Sequence, residues 1–170
     1  MDKNRKSMMR KVFLFDWGDT IMRNFPCETG KMNTWKKVDT MPNAQEMLKK
    51  LSKSYDCYIA TNAKDSFKKD IIEALERVKI NKFFKDIFCF NEIGFLKPSS
   101  EYFDKIIRQL DVTKAEIVMI GDNLETDIRG AQENGIESIL YDYNNNHQDY
   151  NGNRITNLLE ILELYSIQIN

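Results

Sequence analysis

A chain of 170 residues, 42% hydrophobic and 30% charged, can bury one sizeable core but leaves little room for a second full domain. Its 25 basic and 26 acidic side chains nearly cancel, so no overall field draws it to nucleic acid or to an anionic membrane, and recognition of any anion must be local. Three widely spaced cysteines (Cys27, Cys57 and Cys89), none in a CxxC pair, and a single histidine (His147) argue against zinc and for reduced thiols in a cytoplasmic protein.

The opening stretch MDKNRKSMMRK is basic, but the apolar run behind it, Val12 to Phe15, ends at Asp16. That is far too short for an export signal core or a membrane span, so residues 1–10 read as a flexible, soluble N-terminus. Apolar runs suited to buried strands recur at Val12–Phe15, Cys57–Ala60, Ile87–Phe90, Ile117–Ile120 and Ser138–Leu140. Between them lie helical faces: Ala44, Met47, Leu48 and Leu51; then Ile71, Ile72, Leu75 and Val78; then Tyr102, Phe103, Ile106, Ile107 and Leu110. Strands alternating with amphipathic helices predict an α/β three-layer domain around a central parallel sheet.

Two stretches break this rhythm. Residues 21–42 carry Pro26, Gly30 and Pro42 and no amphipathic helix, as expected of a flap or lid. Asn33 to Asp39 has room only for a short turn or flap strand. The asparagine-rich Tyr141–Asn153 reads as a mobile polar loop before a last helix from about Thr156. No repeat and no linker divides the chain, so 1–170 reads as a single domain.

In parallel α/β sheets, ligands bind beyond the carboxyl ends of the strands. The polar residues there are Asp16 and Asp19, Thr61 and Asn62, Glu92 and Lys97, and Asp122, Asn123 and Asp127. Converging carboxylates repel unless a cation sits among them, and oxygen donors without His or Cys favour magnesium. A nearby lysine would balance a bound anion such as phosphate.

The order of these residues resembles the haloacid dehalogenase (HAD) superfamily of aspartate-nucleophile hydrolases, over about Lys11 to Leu140. "FDWGDT" is similar to its first motif, a strand followed by DxDGT; "YIATN", at Thr61, to its second; "FLKPSSEYF", at Lys97, to its third; and "VMIGDNLETDIRGAQENG" to its fourth, GDxxxxD, the most specific of the set. The resemblance implies a Rossmann-like HAD fold and a magnesium-dependent phosphatase in which Asp16 forms an aspartyl-phosphate that water hydrolyses. It implies Mg²⁺ held by Asp16, the Gly18 carbonyl and Asp122, with Asp127 supporting directly or through water. Thr61 would bind a phosphoryl oxygen, with Asn62 beside it, and Lys97 would offset the charge of nucleophile and phosphate.

The chain departs from the family at one place. Its phosphatases carry an acid/base Asp two residues after the nucleophile; here that position is Gly18, and the carboxylate stands next door at Asp19. Either Asp19 rotates in as a substitute, or it is ordinary turn chemistry and the protein is a weak enzyme or a binding or regulatory module. Phosphonate hydrolases and dehalogenases also lack the acid at this position. Both normally bring a cap domain, for which this chain has little room; a capless, open site would admit a large phosphorylated substrate or be covered by a neighbouring subunit.

Plainer readings stand beside these. Asp16 alone is a turn residue, Thr61 alone a helix N-cap, and Asp127 a carboxylate at the positive end of the helix beginning near Leu124. Trp17, Trp35, Met41 and Met47 read as packing, and His147 as a solvated loop residue.

Overall fold

The computed structural model describes residues 11–167, so the expected flexible stretch 1–10 lies outside the described residues. Six parallel strands form one sheet in the order β3-β2-β1-β4-β5-β6. They are β1 (Val12–Phe15), β2 (Asp56–Ala60), β3 (Phe84–Phe88), β4 (Ile117–Gly121), β5 (Glu137–Tyr141) and β6 (Arg154–Ile155). β1 is buried at every position, and its alternating side chains supply two cores. Phe13 and Phe15 face Met47, Leu48, Ile71, Leu75 and Leu162 on one side of the sheet. Val12 and Leu14 face Tyr102, Phe103, Ile106 and Ala131 on the other. The covering helices are α1 (Ala44–Leu51), α2 (Lys68–Arg77), the single turn α3 (Phe90–Ile93), α4 (Ser100–Leu110), α5 (Gly130–Glu133) and α6 (Glu160–Leu164). Among the described residues no helix is long and apolar enough to cross a membrane.

The expected third strand, Ile87–Phe90, is displaced. β3 starts at Phe84 and ends at Phe88, and Phe90 already opens α3, which stops at the left-handed Gly94. β3 is an edge strand, so it tolerates Lys85 and Asp86, and a search for wholly apolar runs passes over it. The last helix begins at Glu160, later than the expected Thr156, because Arg154–Ile155 first adds a short strand at the opposite edge. The asparagine-rich loop is organised around the buried Asp142, whose carboxylate accepts bonds from the Asn146 and His147 amides and from Arg154 at 2.8–2.9 Å. His147, expected to be solvated, is half-buried there.

Residues 21–42 fold back on themselves. Met22 bridges antiparallel to Thr40, and a 3₁₀ turn spans Met32–Thr34. α2 holds this segment: Lys31 pairs with Asp70 at 2.6 Å, Asn33 donates to Glu73 at 2.7 Å, and Arg77 donates to the carbonyls of Asn33, Trp35 and Lys36.

The register sets up a site. Phe15 lies opposite both Ile59 and Ile120, so β1, β2 and β4 end at one level. β1 is also where successive connections turn to opposite sides of the sheet, the switch point at which open α/β sheets place ligands.

Candidate active site

At this level the Lys97 amino group donates to three oxygens: Asp16 Oδ1 at 2.8 Å, Asp127 Oδ1 at 2.7 Å and the Ala60 carbonyl at 2.6 Å. Lys97 and Asp127 are buried, at 3% and 1% exposure. Burial alone would lower the lysine's pKa, but the charges of Asp16 and Asp127 outweigh it and hold the ammonium well above its usual range. Asn62 fixes the backbone that presents this lysine: its Nδ2 donates to the Lys97 carbonyl at 2.9 Å and its Oδ1 accepts from the Lys97 N–H at 2.8 Å. Expected beside the phosphate, Asn62 spends its amide on Lys97 and acts as a clamp.

Asp16, Asp122 and Asp127 offer carboxylate oxygens that all lie within 4.8 Å of one another. Asp16 extends β1 by donating its N–H to the Ile120 carbonyl at 2.8 Å, which aims its side chain past the sheet edge. Burial pushes its pKa up to about 7, against the pull of Lys97 and with the push of Asp127. Asp122 is raised to about 6, again by burial first and then by Asp127. It accepts from the hydroxyl of the fully buried Thr20 at 3.1 Å. Asp127 is already engaged on both oxygens, one by Lys97 and the other by the Asn123 N–H at 3.1 Å. Asp16 and Asp122 are therefore the better direct ligands for a hard cation, and the oxygen-only donor set fits magnesium.

Asp127 reaches the centre on an unusual turn. Leu124–Arg129 is a π-helix, a form concentrated at functional sites, capped by the Asn123 side chain through the N–H groups of Glu125 and Thr126. Gly121 makes room for it: a Cβ there would lie 2.1 Å from Asp127 Oδ2. Gly121→Ala is accordingly expected to cost about 1–3 kcal/mol, as overpacking does. Chemical denaturation checks it, and an unchanged midpoint would show that Asp127 has freedom to move.

These groups open on a cavity of about 420 Å³ lined by Asp16, Gly18, Thr61, Lys97, Asp122 and Asp127, together with Met32 and Trp35 from the 21–42 segment. Thr61 is buried, and its hydroxyl accepts from the Ala63 N–H at 3.2 Å. α2 begins only at Lys68, so Thr61 is not a helix N-cap.

Asp19 turns the other way. It takes a left-handed conformation (φ 54°), and its two oxygens accept from the Asn24 backbone N–H and from Asn24 Nδ2, each at 2.9 Å. Both are committed within its own loop, beside a second cleft lined by Arg23, Tyr143 and His147. This geometry speaks against the rotated acid/base substitute.

The family model described as haloacid dehalogenase-like hydrolase matches residues 2–141. The chain belongs to this family. Within it, the HAD chain is 33% identical over 107 residues to ribulose-1,5-bisphosphate 5-phosphatase of Halopiger xanaduensis, covering 62% of this chain and 44% of that one. It is 30% identical over 100 residues to glyceraldehyde 3-phosphate phosphatase of Methanothermobacter thermautotrophicus, covering 56% and 44%. The structure of the HAD-hydrolase YfnB of Bacillus subtilis, described as bound to magnesium, superposes with a TM-score of 0.75 at 20% identity, covering 93% of this chain and 99% of that one. The matched stretch spans less than half the length of both phosphatases.

Sequence reasoning missed Thr20, Asn24 and the clamp role of Asn62. Thr20 stood in view as the last letter of "FDWGDT". Asn24 carried no signal, because only the turn at Asp19 brings it back to Gly18.

Proposed function

We propose that this HAD protein is a magnesium-dependent phosphatase working through Asp16, with residues 21–42 as a flap in place of a cap domain. The observation that carries the reading is the Asp16–Lys97–Asp127 cluster with Asp122 beside it, an arrangement whose carboxylates are incompletely neutralised by one lysine. Asp16, Asp122 and the Gly18 carbonyl would hold the ion, with Asp127 supporting them. When bound, a divalent cation supplies the positive charge that lets a phosphate approach a carboxylate. Asp16 attacks phosphorus, the leaving group departs, and water hydrolyses the aspartyl-phosphate. Lys97 keeps Asp16 oriented and offsets its charge, and Thr61 donates to a phosphoryl oxygen. The phosphatase relatives support a phosphorylated small molecule as substrate.

A second reading has its own observation. Gly18 has no side chain and Asp19 is tied to Asn24, so the usual proton donor is missing, as in a slow enzyme or a regulatory module. Phosphate release from an aryl phosphate, with and without magnesium, separates the two; no metal-dependent turnover would overturn the phosphatase reading.

Metal binding has a pH signature. Asp16 and Asp122, raised to about 7 and about 6, carry protons at pH 5 that a cation must displace. Magnesium is expected to raise the Tm by several degrees at pH 7.5 and by much less at pH 5. Equal shifts would place the ion elsewhere.

A further inference from the structure

The space that a side chain at position 18 would fill is taken by Asn24. A Cβ on Gly18 would lie 2.7 Å from Asn24 Nδ2 and 3.1 Å from Oδ1. Asp19 fixes the amide there, holding Asn24 at both its backbone N–H and its Nδ2. Asn24 also borders both the cavity of Asp16 and Lys97 and the adjoining cleft of Arg23 and Tyr143. The order Gly18-Asp19 is thus a paired device: the glycine makes room for the amide, and the aspartate positions it.

Resting on the reading of Asp16 as nucleophile, we propose that Asn24 meets the leaving-group oxygen, and that the site therefore favours acyl and aryl phosphates over alkyl phosphate esters. An in-line attack by Asp16 sends the leaving group to the far side of phosphorus, and Asn24, which lines the same cavity as Asp16 and Lys97, is the amide that meets it there. An amide N–H there stabilises charge building on the departing oxygen but keeps its proton. The P–O bond breaks with its electron pair going to the leaving oxygen, which departs as a carboxylate or phenolate. Such anions are stable without a proton; an alkoxide is not. Water then attacks phosphorus, Asp16 is released as a carboxylate, and the proton of the attacking water goes to phosphate or solvent.

The test measures kcat/KM for acetyl phosphate, p-nitrophenyl phosphate, phenyl phosphate and glycerol 3-phosphate, in order of rising leaving-group pKa. Wild type is expected to fall by about 10²-fold or more from the first pair to the last substrate, the usual worth of a missing general acid. Asn24→Ala is expected to lose about tenfold or more on the aryl substrates and to steepen the dependence on leaving-group pKa. Gly18→Asp with Asn24→Ala, which exchanges amide for acid, is expected to raise glycerol 3-phosphate turnover by about 10²-fold over Asn24→Ala and flatten that dependence. If its Tm shows that the double variant is unfolded, Asn24→Ala and Asn24→Ser decide the matter. Wild-type rates and slope in both single variants would overturn the proposal, as would equal wild-type turnover of alkyl and aryl esters. If wild type shows no magnesium-dependent turnover, this proposal and the nucleophile reading fail together; turnover that Asp16→Asn abolishes and Asn24 leaves unmoved overturns this one alone.

Discussion

Asp16→Asn is expected to abolish magnesium-dependent phosphate release, with kcat falling on the order of 10⁴–10⁶-fold, while leaving the metal-free protein more stable at pH 8. The first half follows from chemistry: the amide keeps the shape and the bond with Lys97, but its oxygen is a poor nucleophile, and losing a covalent nucleophile costs roughly that much. The second half follows from linkage. In the metal-free fold burial raises the pKa of the Asp16 carboxyl to about 7, from an ordinary 3.8. Between those values the folded chain holds a proton that the unfolded chain has released, so stability is lost as pH rises through this window. Asparagine carries no such charge. The variant's Tm is therefore expected to exceed wild type's at pH 8 and to approach it at pH 4. A lower Tm at pH 8 would mean that Lys97 neutralises the cluster fully without a cation. Retained turnover would move the nucleophile elsewhere.

The central strands were legible because a parallel sheet buried on both faces demands continuous apolar runs, and Val12–Phe15 and Ile117–Gly121 meet that demand. The same rule hid β3: at an edge, Lys85 and Asp86 are tolerated and the run is broken. Asp16 and Asp122, one step past the ends of β1 and β4, could be placed from sequence, since register fixes them; Lys97, beyond α3, and Asp127, on the π-helix, converge with them through the turns in between. What could not be placed is anything decided by a single backbone turn. Asp19 faces Asn24 because of one left-handed residue, and Asn62 faces the Lys97 backbone through a contact across 35 positions. No local pattern in "FDWGDT" or "YIATN" encodes either direction. The paired roles of Gly18 and Asn24 belong to this class, since both depend on the path the chain takes between them.

Lys97→Met is expected to destabilise the fold by about 3–5 kcal/mol at pH 8, the usual cost of leaving a buried charge without its partner. The methionine fills most of the lysine's volume, so the loss reports charge and not a hole. Removing the ammonium takes a counter-ion from the buried Asp127 and from Asp16 at once, and leaves the Ala60 carbonyl without its donor. Protonation relieves part of this: with Lys97 gone, Asp16 binds a proton more readily still, so the deficit against wild type is expected to shrink on going from pH 8 to pH 5. Magnesium restores positive charge to the carboxylate cluster and is expected to recover part of the stability at pH 8, without recovering turnover. Denaturant unfolding at both pH values, with and without magnesium, checks each step. A deficit independent of pH and of magnesium would show that Lys97 stabilises the fold through its bond to the Ala60 carbonyl and not through the carboxylates.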